Sequence, residues 1–306
     1  MTDFDDFERH RVPVNETEIF VARAGTGPPV LLLHGFPETH LMWHRVGPLL
    51  AERFTVVCAD LRGYGSSGKP MGGYDHAAYA KDAMAFDMLQ AMEALGFDRF
   101  SVAGHDRGGR VAYRLALNHP DRVLRLAVLD IVPTAEAFET AAADFASAFW
   151  PWSLLAQPEP LPERLVAGDP AAVVEHALAE WGSDPSAFPP EVVSAYVASL
   201  KEPATTHAIC EEYRAAATQD RRRDLEDRRL GRRIVCPVLV LWSEGGPLDS
   251  WYVEAGGPLG IWRRWAEDTR GRALAGGHFF PEQNHLDTAG ELSAFFAGAD
   301  RTRSNS

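Results

Sequence analysis

The sequence predicts an α/β protein: a doubly wound, mostly parallel sheet with an inserted helical cap. Three observations predict it. Short apolar runs alternate with helical patterns through residues 1–134. One of these runs ends in Gly104-His105-Asp106-Arg107-Gly108, a glycine-framed turn that opens directly into a helical pattern. Residues 135–233 are rich in Ala, Glu and Arg and nearly free of strand-like runs, and the strand pattern resumes only at Pro237. Alternating strands and helices imply parallel pairing through right-handed crossovers. A helical block between two strands of one sheet implies an insert laid over it. The expected division is therefore 1–134 and 234–306 for the core and 135–233 for the cap.

The elements follow in order. Thr17–Ala24 alternates as an early strand, and Gly25-Thr26-Gly27-Pro28-Pro29 is a turn cluster. Val30-Leu31-Leu32-Leu33 is a continuous apolar run, as expected of a strand buried on both faces. It ends in His34-Gly35-Phe36-Pro37. A helix is expected over 42–54, a buried strand over Thr55–Ala59 and a helix over 79–96. In that last helix Met84, Met88, Met92 and Leu95 recur on one face, which marks them as core. A strand over 99–103 feeds the glycine-framed turn, with a helix over 107–118 behind it. Val123–Leu129 is the next strand, with Asp130 at its carboxyl end. After the insert come a strand over 237–242, a helix over 251–268, a short strand over 272–275, the loop Gly276-Gly277-His278 and a terminal helix from 281. The polar stretch 300–306 is expected to be a disordered tail.

Composition narrows the function. A net charge of −13 argues against nucleic acid and anionic membranes as partners. No run approaches the length of a membrane span, and the acidic first residues lack the apolar core of a signal peptide. Three scattered cysteines form neither a disulfide framework nor a metal-spaced cluster. A reducing cytoplasm is the expected location.

The chemistry concentrates on Gly104-x-Asp106-x-Gly108. A sharp strand-to-helix turn strains its central residue and needs neighbours without Cβ. The helix behind it favours a negative charge at its first turn, so Asp106 is expected to stay ionised and to act as a nucleophile. This has the form of a nucleophile elbow, in which the partners follow in the order nucleophile, acid, His. That order selects Asp130 and His278, with Glu244 and Asp249 as alternative acids. His34-Gly35-Phe36-Pro37 stands where a backbone N–H joins the oxyanion hole.

Asp106 followed by Arg107, with Arg110 one helical turn away, resembles the fluoroacetate (haloacetate) dehalogenase family of the α/β-hydrolase fold. The resemblance runs from His34 to Phe279. It implies that Arg107 and Arg110 bind a substrate carboxylate, and that Leu129-Asp130-Ile131-Val132-Pro133-Thr134 carries the acid. Trp152, in Trp152-Ser153-Leu154-Leu155, resembles the family's halide-binding Trp. Tyr213, in Cys210-Glu211-Glu212-Tyr213-Arg214-Ala215, resembles its halide-binding Tyr, and Trp181 a pocket-lining cap aromatic. The family commonly has His before the halide Trp; here that residue is Pro151. The implied reaction converts fluoro-, chloro- or bromoacetate to glycolate and halide. It passes through an Asp106 ester that water activated by His278 hydrolyses, with Phe36 and Arg107 backbone N–H groups at the oxyanion. No metal or organic cofactor is implied, and relatives imply a homodimer. The alternative is an epoxide hydrolase, whose two cap tyrosines would be Tyr196 and Tyr213.

Overall fold

The computed structural model describes residues 4–140 and 143–298. Eight strands form one sheet in the order β1-β2-β4-β3-β5-β6-β7-β8. They are β1 (Glu8–Val14), β2 (Thr17–Ala24), β3 (Pro29–Leu33), β4 (Thr55–Ala59), β5 (Phe100–His105), β6 (Val123–Leu129), β7 (Val238–Ser243) and β8 (Thr269–Leu274). β1 and β2 pair antiparallel, β2 and β4 likewise, and every other neighbour pair is parallel. β4 and β5 are buried along their whole length, as the continuous apolar runs require. The chain order reverses at β3, which lies between β4 and β5. A crevice at the carboxyl ends of β3 and β5 is the expected ligand position in such a sheet.

The edges were harder to read from sequence. β1, which the sequence pattern does not announce, begins with four exposed polar residues and carries Pro13. Charge and proline are how edge strands avoid pairing with other chains. β8 begins at Thr269, three residues before the expected strand; its Arg270-Gly271-Arg272 stretch has no apolar alternation.

Three expected helices are broken. Residues 42–54 form a 3₁₀ turn (His40–Trp43) and then helix α1 (Val46–Ala51). Pro48 has no N–H to give to the carbonyl of residue 44, so one ladder cannot run through. The expected helix at 79–96 is α2 (Lys81–Ala94), with Met84, Met88 and Met92 fully buried. α3 (Asp106–Asn118) follows β5 without a linker.

Between β6 and β7 the described chain is helical: α4 (Thr134–Glu139), α5 (Ala143–Ala148), α6 (Trp150–Leu154), α7 (Leu161–Gly168), α8 (Pro170–Glu180), α9 (Pro190–Leu200), α10 (Pro203–Ala215) and α11 (Arg221–Arg229). A π-helical turn, Ala216–Asp220, joins the last two. After β7 come α12 (Pro247–Trp251) and α13 (Gly257–Trp265). Gly256 and Gly257, both at positive φ, part these two where one helix was expected. The terminal helix is α14 (Phe280–Gln283) and α15 (His285–Phe296). Residues 300–306, the expected tail, lie outside the described residues.

Cys58 on β4, Cys210 on α10 and Cys236 before β7 are free and buried. Burial pushes the thiol of Cys58 well above its ordinary value, that of Cys210 upward, and that of Cys236 up to about 12. Among the described residues no helix is long and apolar enough to cross a membrane.

The helical segment is fastened to the sheet through α3. Arg107, Arg110 and Arg114 recur at spacings of three and four, so they share one helix face. All three are buried. Arg114 donates to Asp224 at 2.6 Å and to Asp227, both on α11. Asp224 also accepts from the Tyr113 hydroxyl at 2.8 Å and the Ala135 N–H at 3.0 Å. Removing one partner of such a buried pair strands the other charge at a cost of about 3–5 kcal/mol. Arg114→Leu is therefore expected to lower the melting temperature by roughly 6–15 °C. A shift under 2 °C in a thermal melt would show that this anchor contributes little.

Candidate active site

The site begins with a backbone fit. Asp106 is the first residue of α3 and has φ +44°, a conformation that costs a non-glycine residue about 1–3 kcal/mol. Three glycines make room for it. A Cβ on Gly104 would lie 2.3 Å from the Gly108 carbonyl oxygen, and one on Gly108 2.4 Å from that of His34. A Cβ on Gly35 would lie 2.5 Å from Asp106 Cβ. The loop after β3 thus rests directly on the turn after β5, and the Phe36 N–H donates to Asp106 Oδ1 at 3.1 Å. Burial works to raise the Asp106 pKa. His278, Arg107, His105 and Arg110 outweigh it and hold the carboxyl below its usual range.

His278 reaches this carboxylate from the loop after β8. Its Nδ1 lies 2.6 Å from Asp130 Oδ2, which fixes a proton on that nitrogen. Asp130, itself at φ +53°, accepts the Ser243 N–H at 2.8 Å on its other oxygen. His278 Nε2 is buried without a hydrogen-bond partner, 4.0 Å from Asp106 Oδ2. Of the three candidate acids, only Asp130 meets His278. Asp249 is spent on the Trp242 indole and the Gly245 N–H, and Glu244 is exposed.

The two arginines differ. Arg107 Nε donates to Glu212 Oε1 at 2.7 Å, and its Nη2 lies 2.7 Å from the same oxygen. Glu212 on α10 also meets Lys81, and it accepts from the Tyr64 hydroxyl at 2.9 Å. Burial opposes the Arg107 charge, but Glu212, then Tyr213 and Asp106, raise its pKa above the ordinary arginine value. Arg107 Nη1 remains unpartnered. Arg110 has no carboxylate partner among the described residues. Its Nη1 donates to the Val132 carbonyl at 2.9 Å and the Thr134 hydroxyl at 3.3 Å, and its Nε is buried and unpartnered. Burial and the charge of Arg107 lower its pKa, so it is a cation short of compensation.

An inner cavity of about 20 Å³ lies against Asp106, Arg110, Asp130 and His278. That is the room open to the centre of a water molecule; measured out to the lining atoms the space is larger. Trp152 lines it, with Arg110 Cζ 4.5 Å from the centre of its ring. Tyr213 and Arg107 are not among the residues lining it; the Tyr213 ring is 6.4 Å from Trp152 edge to face, with Arg107 Cζ 4.1 Å above it. Both rings are buried. Pro151, also buried, is on α6 next to Trp152. Trp181 is placed elsewhere: it lines an outer basin of about 660 Å³, donates its indole N–H to the Ala148 carbonyl at 2.8 Å, and packs edge-on against His278. Tyr196 is off the cavity too, its hydroxyl 3.2 Å from Glu282 Oε1. Phe149 lines both spaces. Sequence reasoning passed over it, and also Phe145, Leu248 and Tyr252, which close the inner cavity. No motif marks them: Phe145 is on α5, Phe149 between α5 and α6, Leu248 on α12 and Tyr252 just after α12. Among the described residues no group of three or more His, Cys, Asp or Glu is arranged to hold a metal ion.

Comparisons with known proteins agree with this geometry. The model of the alpha/beta hydrolase fold family matches residues 28–284. A fluoroacetate dehalogenase of Burkholderia sp is 45% identical over 97% of this chain and 96% of its own. A soluble epoxide hydrolase of Corynebacterium sp. (strain C12) is 30% identical over 95% of this chain and 98% of its own. The solved structure of ALR0039 from Nostoc sp PCC 7120, described as an alpha/beta hydrolase, superposes with a TM-score of 0.91 at 44% identity, covering 97% of this chain and all of that one. The chain belongs to the haloacetate dehalogenase family of the α/β-hydrolase fold.

Proposed function

We propose that this hydrolase, acting on carbon–halide bonds, converts haloacetates to glycolate and halide. One observation carries the reading: an ionised Asp106 shares a small cavity with Arg110, which forms a salt bridge with no carboxylate among the described residues. A small carboxylate supplies the missing charge. Unspent donors on Arg107 and Arg110 fix it by charge-assisted hydrogen bonds. This places C2 over an Asp106 oxygen.

The carboxylate displaces halide from C2 in line, and an ester forms. In this scheme the Trp152 N–H and Tyr213 O–H donate to the departing halide. His278 Nε2 then takes a proton from water, with Asp130 holding the ring in the required tautomer. Hydroxide adds to the Asp106 ester carbonyl, and the Phe36 and Arg107 N–H groups hold the oxyanion. Glycolate leaves, the carboxylate is restored and one proton is released overall. The helices of 135–233 act as the cap that excludes water from the first step. An epoxide hydrolase would need two tyrosines at the reacting oxygen, and the Tyr196 hydroxyl is engaged with Glu282.

Three experiments test this. His278→Ala leaves ester formation intact and removes its hydrolysis. After incubation with chloroacetate the peptide holding Asp106 is expected to gain the mass of one carboxymethyl group. An inactive variant with that peptide unmodified would sink the two-step scheme. Arg110→Leu removes charge-assisted hydrogen bonds worth about 1.5–3 kcal/mol, so kcat/KM for chloroacetate is expected to fall about 10- to 200-fold. A change within twofold would take Arg110 out of the site.

Pro151 sets up the third. Fluoride depends most on hydrogen-bond donors as it leaves, and proline donates nothing. Haloacetate turnover is expected to persist, with fluoroacetate turnover weakened relative to a family member that carries His at this position. Pro151→His is expected to raise the fluoro-to-chloro ratio of kcat/KM, by a few kcal/mol at most. An unchanged ratio in the folded variant would refute this account of halogen preference.

A further inference from the structure

His105 is part of the elbow motif, yet the reaction above gives it no role. It is fully buried on the last residue of β5. Both ring nitrogens are engaged. Nδ1 lies 3.1 Å from Glu38 Oε2, and Nε2 lies 2.8 Å from the backbone oxygen of His278. A carbonyl can only accept, so Nε2 must carry a proton. Glu38 Oε2 also accepts the Gly35 N–H at 3.2 Å, a bond that favours its ionised, acceptor-only form. Nδ1 then carries the second proton. The geometry points to His105 as an imidazolium, charged at neutral pH, that positions the three loops of the site and sits beside the nucleophile.

The surrounding groups fit this. Glu38 Oε1 and Glu282 Oε2 are both buried without a donor, and one proton shared by the two carboxyls satisfies both. Burial, then the Glu38 charge, push the Glu282 carboxyl well above its ordinary range, so the shared proton belongs on that side. Glu282 is faced in turn by the Tyr196 hydroxyl and, at 3.8 Å, by His44. His105 itself is faced by Glu38, Asp106, Asp130 and the His278 ring, whose centroid is 4.5 Å away. Burial lowers the His105 pKa, but Glu38 and then Asp106 and Asp130 outweigh it and raise it above the free value.

Two consequences follow for the site. The imidazolium ties the loop holding Phe36, through Glu38 and Gly35, to the loop holding His278, from a point adjacent to Asp106. Its charge also helps to keep Asp106 ionised. His105 touches no substrate, so it acts as a positioning residue. The inference of a rate effect rests on the haloacetate reading; the inference of charge does not.

The test has two arms. In wild-type enzyme labelled with ¹⁵N-histidine, NMR at pH 7.5 is expected to show both His105 ring nitrogens protonated, unchanged through a titration up to about pH 8.5. A neutral His105 imidazole at pH 7.5 would overturn the proposal, and this arm needs neither a variant nor turnover. In the second arm, His105→Asn and Glu38→Gln are assayed with chloroacetate. Losing a cation beside Asp106 is expected to move the acid limb of kcat/KM up by about one pH unit, roughly a tenfold loss at a pH on that limb. The double variant is expected to lose no more than either single one, since the two groups act as one unit. An unmoved limb in folded variants would overturn the positioning role. Should the variants not fold, the NMR result decides. Wild-type enzyme that released no halide from any haloacetate would instead refute the reaction assigned above.

Discussion

The site depends on one backbone contact: the turn after β5 pressed against the loop after β3. Asp106 holds a left-handed conformation that its own residue type disfavours, and only the surrounding packing keeps it there. Gly104, Gly108 and Gly35 make that packing possible, because a methyl group at any of them would overlap backbone or the Asp106 side chain. The strain yields a carboxylate lifted clear of the sheet, with the Phe36 N–H already on one oxygen and His278 facing the other. Everything else in the site is arranged around a group that cannot move.

The charges around that group form a layered arrangement. One face of α3 presents Arg107 and Arg114 to the inserted helices, and those helices answer with Glu212, Asp224 and Asp227. Arg107 and Arg114 are thereby compensated within the protein, whereas Arg110, between them, is not. The proposed substrate asks a chain of net charge −13 to hold a small carboxylate, and buried arginines would supply an attraction that is local and dry. On the other side of Asp106, Glu38 and His105 form a second buried pair that fixes loops and leaves no vacant donor toward the cavity.

The central strands and the Asp106, Asp130 and His278 positions were legible in the sequence, because each rests on a local signal. Continuous apolar runs mark β3 and β4, and glycine spacing marks the elbow. The chain order of acid and base then picks out two loops. The edge strands escaped because an edge is written in polar residues that also suit a loop. Glu212 escaped for a different reason: it stands beside Tyr213 in a recognisable segment, but its partners Arg107, Lys81 and Tyr64 come from remote parts of the chain. Phe149, Leu248 and Tyr252 close the cavity from elements with no fixed spacing between them. The double engagement of His105 depends on a backbone oxygen of residue 278, which no reading of side chains can supply.

The three cysteines acquire a meaning from the chemistry assigned to the site. Haloacetates alkylate thiolates, and their reactivity toward a protein follows the thiolate fraction and its exposure. Cys58, Cys210 and Cys236 are all buried, and each thiol is held protonated well past neutral pH. An enzyme that spends its life among electrophiles of this kind must offer them one attractive nucleophile and hide the rest. In the proposed reaction that nucleophile is a carboxylate whose adduct water can remove, while the sulfur atoms, whose thioethers would be permanent, are buried inside the fold.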